Sequence, residues 1–283
     1  MNRLSKQKRA AVVAALVEGM SIRATVRMTG VAKNTVAKLL VDLGNACERY
    51  HDANVRGLRS EQIQADEIWA FCYAKEKNVP DDLRGEFGYG DVWTWTAIDA
   101  DSKLMVSWLV GRRDAAHAEM FIRDVASRVE SRPQITTDGL QVYRWAVAAA
   151  FGGQVDYAQV QKIYGPVSAP EGRYSPPVCK GCKKKAVLGD PDMEKVSTSY
   201  VERSNLTMRM GMRRLTRLTN GFSKKVANLE AAVSLHFMHY NFCRKHQTLK
   251  ASPAVKAGLT DHVWSLAELV AVLANEEAPS VAA

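Results

Sequence analysis

Four things are scarce in this chain of 283 residues, and each scarcity excludes something. The five cysteines, at positions 47, 72, 179, 182 and 243, are odd in number and scattered. They do not form a secreted disulfide framework, and reduced thiols are the expectation. Long apolar runs are missing too. The stretch from Ala10 to Val17, after the basic start Met1–Arg9, is too short to act as a secretory leader or membrane span. No membrane is therefore expected, and the cytoplasm is the expected compartment. Internal repeats and long low-complexity tracts are absent as well. Finally, acid is missing from one segment. Between Arg203 and Lys225 stand Arg203, Arg209, Arg213, Arg214, Arg217, Lys224 and Lys225, with no Asp or Glu. A merely solvated helix face mixes signs, so this segment reads as one that tracks a phosphate backbone.

The remaining composition points the same way. Hydrophobic residues make up 47%, enough for a catalytic core with a small accessory domain. Thirty-nine Lys and Arg stand against 30 Asp and Glu, a formal charge of +9, which favours a polyanionic partner, nucleic acid being the simplest.

The first 48 residues read as three short helices. Gly19 stops the first, Ser21 caps the second, and Gly30 turns the chain into Lys33–Leu40. Ile22, Val26, Val31, Val36, Leu39 and Leu40 would form a small core, and Lys33, Asn34, Thr35 and Lys38 face outward on the third helix. This is a helix-turn-helix pattern whose outward residues would touch phosphates and base edges; the plainer alternative is a three-helix packing module. The polar residues 49–61 read as a linker.

From residue 62 to 250 the pattern changes to strands and helices. Strands are expected at about Gln64–Tyr73, Val92–Ile98 and Leu104–Val110, the last two forming a hairpin rich in β-branched and aromatic residues. A helix from about Ala115 to Val129, a short strand at Ile135–Thr137, a helix at Tyr143–Phe151 and a fifth strand at Gln154–Val160 follow. Three antiparallel strands leading into alternating elements match an α/β, ribonuclease H-like layout, with a mixed five-stranded sheet between helices. Residues 162–197, rich in Pro, Gly and Lys, read as a mobile insertion. Helices at Ser199 to about Leu218 and Ser223 to about Lys245 complete the core, and 251–283 form a helical extension.

Three acids stand out against this frame. Asp66 lies inside the first strand, Asp138 ends the short fourth one, and Glu202 opens a helix that carries Asn205 and Arg209 on the same face. Phosphodiester chemistry needs the attacking and leaving oxygens stabilised, and carboxylates from separate segments can hold two divalent ions that do so. Such hard oxygen ligands suit magnesium or manganese. Glu67 competes for the first position from the other sheet face. Cys179 and Cys182 could be half a zinc site, with His236, His239 or Cys243 as partners, although unliganded thiols and core histidines are the preferred reading. Trp93, Trp95 and Trp108 are expected in the core.

The runs Gln64–Trp69, Asp91–Asp99, Thr137–Gly139 and Val201–Leu206, with Asn220–Lys225 and His239–Leu249 after them, resemble bacterial insertion-sequence transposases of the DDE class, close to the insertion-sequence-one family. The resemblance extends over most of residues 60–264. It implies a retroviral-integrase-like fold, Asp66, Asp138 and Glu202 as the metal-binding triad, and Arg209 as a contact to DNA. It further implies a transposase that binds the terminal inverted repeats of its element, cleaves there and joins 3′-hydroxyl ends to target DNA. Pairing two ends implies a homodimer or larger synaptic oligomer. The long separation between Asp138 and Glu202 departs from compact members of the superfamily and makes Glu194 a distant substitute for the third acid. The alternatives are a catalytically inactive, domesticated DNA-binding protein or repressor, and a nuclease acting on RNA–DNA hybrids.

Overall fold

A computed structural model describes residues 4–165, 179–216 and 220–277. The chain opens with α1 (Lys6–Val17), α2 (Ile22–Thr29) and α3 (Lys33–Asn54). Ser5 and Ser21 cap the first two by accepting a backbone N–H with the side-chain hydroxyl. Gly30 ends α2 in the left-handed region at φ 68°, a conformation that side chains with a Cβ rarely adopt.

The third helix does not stop where the polar sequence suggested. It runs on to Asn54, so the first half of the expected linker at 49–61 is helix. Tertiary contacts override local polarity here. Tyr50 packs edge-on against Phe242 and Trp264 at 5.8 and 5.3 Å between ring centres, and His51 is buried. Burial lowers the His51 imidazole well below its ordinary pKa, keeping it neutral, with Nε2 3.4 Å from the Met105 carbonyl.

Next come β1 (Gln62–Cys72), β2 (Gly90–Asp99), β3 (Met105–Gly111), α4 (Ala115–Arg128), β4 (Gln134–Asp138), α5 (Val142–Phe151) and β5 (Asp156–Tyr164). The sheet gains a sixth strand, β6 (Cys179–Leu188), in the order β3-β2-β1-β4-β5-β6. The five-strand expectation failed because a run with Gly181 and Lys183-Lys184-Lys185 carries no apolar alternation. As an exposed edge strand it needs none, and lysines on an edge oppose pairing with other chains. Thus 162–197 is in large part sheet: β5 reaches Tyr164, and β6 pairs antiparallel with it. The rest of the insertion, 166–178, lies outside the described residues.

α6 (Ser199–Gly211) is shorter than the expected Ser199–Leu218, and α7 (Val226–Met238) leads into a π-helical turn, His239–Cys243. There the buried Asn241 clamps β3, accepting from the Met105 N–H and donating to its carbonyl, both at 2.9 Å. A short α8 (Pro253–Lys256) and α9 (Leu266–Glu277) follow.

Alternation along β1 sorts its neighbours by face. Ile63 and Ala65 join the large cluster with Phe121, Val125 and Tyr143 of α4 and α5, while Ile68 and Ala70 join Val201, Met208 and Phe237 of α6 and α7. Trp95 is fully buried, and Trp108 is partly buried against Phe237; Trp93, beside Trp69, takes Arg113 over its ring. Among the described residues, no helix is long and apolar enough to cross a membrane.

Candidate metal centre at the β1–β4 switch point

β1 and β4 run parallel as neighbours, but β1 continues into the β2–β3 hairpin on one side while β4 leads to β5 on the other. Such a reversal leaves a crevice beyond the carboxyl end of the strands, where open α/β sheets hold their ligands. Asp138 is the last residue of β4 and therefore sits at that crevice. Its Oδ1 accepts the Leu140 N–H at 2.9 Å. The β1–β4 pairing ends at Ala65 and Thr137 although β1 runs on to Cys72, so from Asp66 onward that edge of β1 is unpaired by β4.

Oxygens of Asp66, Glu67 and Asp138 come within 4.8 Å of one another at this point. Asp66 Oδ2 accepts from Asn205 Nδ2 of α6 at 2.9 Å, and the Asn205 amide oxygen lies 3.1 Å from the Thr96 hydroxyl, which fixes the amide orientation. Glu67 belongs to the opposite face of β1. Its Oε1 accepts from Arg113 Nε and Nη2 at 2.6 Å each, and its Oε2 from the Tyr143 hydroxyl at 3.0 Å. Arg113 also lies 4.0 Å from Asp138.

Three acids this close, partly out of water, oppose one another's ionisation. Burial, followed by the charges of Glu67 and Asp138, pushes the Asp66 carboxyl up to about 7. Glu67 also shifts upward, through burial and Asp138, against the opposing pull of Arg113 and Tyr143. Burial and the same three carboxylates hold the Tyr143 phenol well above its ordinary range. An all-carboxylate donor set that repels itself in this way fits a hard divalent cation.

Glu202 stands apart from this cluster. Its Oε2 is ion-paired with Lys162 of β5, and its Oε1 accepts from the Thr198 hydroxyl at 2.5 Å. Burial alone would lower the Lys162 ammonium; the Glu202 bond and charge outweigh it and raise the group. Glu202 nevertheless adds to the upward push on Asp66. Glu194 is exposed on a turn and is outside the cluster.

A pH signature follows from Asp66. Its folded pKa near 7 exceeds the ordinary 3.8, so the folded protein holds a proton that the unfolded chain lacks at intermediate pH. The stability this contributes is complete below about pH 4 and is lost as pH rises through about 7. A bound divalent cation would replace the lost proton. Thermal melts with and without millimolar magnesium or manganese should therefore show a metal-free melting temperature that falls between about pH 5.5 and 8, and a metal-induced rise that is larger at the higher pH. Equal metal shifts at both would remove Asp66 from the ligands.

The other sequence-derived contacts lie elsewhere. Lys33, Asn34, Thr35 and Lys38 are all exposed on the first turns of α3, with Lys38 paired to Asp42 at 2.6 Å. Arg203, Arg213, Lys224 and Lys225 are exposed, Arg209 and Arg214 partly buried, and Arg217 lies outside the described residues. Cys179 and Cys182 are exposed on β6, whereas burial lowers the His236 imidazole to about 3. Arg113, Tyr143 and Lys162 were missed: nothing in an Arg-Arg pair after a strand, or in a lysine on a strand, signals a partner so remote in sequence. Asn205 is legible from helical spacing, three residues after Glu202.

A family model described as a DDE domain, DDE_Tnp_IS240, matches residues 87–167. Over those residues the chain is similar to the DDE domain of insertion-sequence transposases. The matched segment runs from just before β2 past β5 and includes Asp138, while Asp66 and Glu202 fall outside it. The narrower insertion-sequence-one assignment is not part of the match. No curated relative matches the chain. Among solved structures, a Mos1 transposase paired-end complex with the left transposon end aligns at 13% identity over 54% of this chain, TM-score 0.23. The chain spans 58% of that protein's length. A piggyBac transposase synaptic complex with hairpin DNA aligns at 12% identity over 98% of this chain and 73% of its own, TM-score 0.38.

Proposed function

We propose that the protein is a DNA transposase that cleaves phosphodiester bonds at the ends of its element and transfers the 3′-hydroxyl ends to target DNA. The observation that carries this reading is the convergence of the Asp66, Glu67 and Asp138 carboxylates at the β1–β4 switch point of a DDE-domain chain.

Asp66 and Asp138 are assigned as two ligands, since each directly follows the last paired residues of these parallel neighbours, Ala65 and Thr137, and their oxygens come together. Glu202 is the third. Both Glu67 oxygens are engaged, by Arg113 and Tyr143, so Glu67 holds Arg113 in place and adds negative charge. Glu202 is held by the partly exposed Lys162, and exchanging that partner for a cation would free both the carboxylate to ligate and the Lys162 ammonium to pair with a phosphate. Two magnesium or manganese ions bound here would supply the positive charge that stabilises attacking and leaving oxygens. The side chains themselves position the phosphate, and the Asn205 amide fixes the orientation of Asp66.

Lys33, Asn34, Thr35 and Lys38 on α3, with Arg203, Arg209, Arg213, Arg214, Arg217, Lys224 and Lys225, form the DNA-contacting set. Residues 1–48 serve as the end-recognition domain, the core spans 62–250, and pairing of two ends makes the working species at least a dimer.

The test is divalent-dependent nicking and joining on a supercoiled plasmid carrying the coding region with its natural flanks. Glu202→Gln should reduce both steps by on the order of 10²-fold or more, with duplex binding unchanged, and Glu67→Gln should cost less. The reverse ranking would move the third ligand to Glu67. A wild-type protein that binds these flanks but never cuts them is the inactive, repressor-like alternative.

A further inference from the structure

Beyond the acids, β1 leads into a cleft of about 890 Å³. Three rings follow one another along it. Trp69 and Phe71, on the same face of β1 as Glu67, lie 5.8 Å apart between ring centres, and Phe71 lies 4.6 Å from Phe222. Phe222 is brought there by the loop after α6, which joins the strand through Ser223: its carbonyl accepts the Tyr73 N–H at 2.9 Å. All three rings are only partly buried, although they follow directly on the fully packed part of the sheet.

Among the described residues, five Lys and Arg side chains line the same cleft and no Asp or Glu does. Lys224 Nζ sits 4.3 Å from the centre of the Phe222 ring. Arg214 is partly buried and donates to the Ser223 hydroxyl at 2.7 Å, and among the described residues no carboxylate is ion-paired with it. A guanidinium removed from water without a counter-charge is a costly arrangement unless an anion completes it.

Distance from the acids is set twice over. Trp69 follows Asp66 by three strand residues, roughly 10 Å at the rise of a β-strand. Arg209 follows Glu202 by seven helix residues, again roughly 10 Å at the rise of an α-helix. Trp69 and Arg209 both line the cleft, so each element carries the chain from its acid to the cleft wall.

We propose that this cleft holds an unpaired nucleotide of single-stranded DNA next to the cleaved phosphodiester, its base stacked on the Trp69–Phe71–Phe222 rings and its phosphates on Arg214 and Lys224. Rings offer a stacking face to any base and cations track the backbone, which is the chemistry of sequence-tolerant single-strand binding. The inference rests on the DNA reading above, and goes beyond it by naming the strand form and the residues that take it.

The probe is a short duplex ending in a 3′ single-stranded thymidine overhang, compared with the blunt duplex of the same sequence, both titrated into the full chain without divalent ions. The overhang should bind about tenfold or more tighter than the blunt form. Phe222→Leu should remove that preference while leaving blunt-duplex affinity unchanged, and Phe222→Tyr, which keeps the ring, should retain it. A melting curve matching wild type establishes that Phe222→Leu is folded; Trp69→Leu serves as the second variant. Equal affinity for both probes, or equal losses on both in Phe222→Leu, overturns the cleft assignment and leaves the transposase reading standing. Failure to bind either probe overturns both.

Discussion

Asp66→Asn should abolish divalent-dependent nicking and strand joining, by at least on the order of 10³-fold, and at the same time make the metal-free protein more stable near pH 8. The two effects share one cause. Asp66 is charged at that pH only against burial and against Glu67 and Asp138. A neutral amide of the same shape relieves the repulsion, and its oxygen can still accept from Asn205, which donates to Asp66 at 2.9 Å. What stability gains, ligation loses, because a neutral amide is a far weaker partner for a hard cation than a carboxylate. Activity on the flanked plasmid and thermal melting at about pH 8 measure the two halves. If Asp66→Asn cut DNA at the wild-type rate, the acid cluster would not be the catalytic centre; if it melted below wild type, the repulsion argument would fail.

Gly44→Leu should unfold or severely loosen the protein, with a loss on the order of 3 kcal/mol or more. Gly44 lies in the middle of α3, where glycine is otherwise unfavourable. A Cβ there would meet the Ala231 backbone of α7 at 2.2 Å, and backbone cannot turn aside as a flexible side chain can. The amino-terminal helices are thereby seated on the part of the chain that carries the sheet: α3 lies against α7 at Gly44, and Arg128 of α4 donates to the His51 and Val55 carbonyls at 3.3 and 3.1 Å. Chemical denaturation of Gly44→Leu against Gly44→Ala measures the effect. Because even one methyl overlaps, Gly44→Ala should also be destabilised, though less, and wild-type stability in both would mean the two helices are free to part.

The legible parts of the fold were those written in local pattern. The β2–β3 hairpin showed in its β-branched and aromatic runs, and the break after α4 in Arg132-Pro133. Asp138 could be placed because the short run Gln134-Ile135-Thr136-Thr137 ends there before Gly139. β6 was not legible, since an exposed strand of lysines has no apolar alternation to read. The length of α3 was hidden for the opposite reason: Tyr50 and His51 look polar in sequence and become buried only through Phe242, Trp264 and Met105. Of the site, Asp66 and Asp138 came from position in the strands, and Glu202 and Arg209 from helical spacing. Arg113 and Lys162 came from nothing in the sequence.

By itself the sequence determined the α/β element order, the acids on β1, β4 and α6, and an acid-free basic stretch after Glu202, because period, turn chemistry and charge are properties of neighbouring residues. Only the tertiary structure decided that Glu67 joins Asp66 and Asp138, that Lys162 holds Glu202, and that Phe222 completes the stack begun by Trp69 and Phe71. Those choices depend on partners such as Arg113 and Asn205, 46 and 139 residues from the acids they touch. Which side chains meet across such separations is fixed by packing of the whole sheet between its helices, and no local pattern records it.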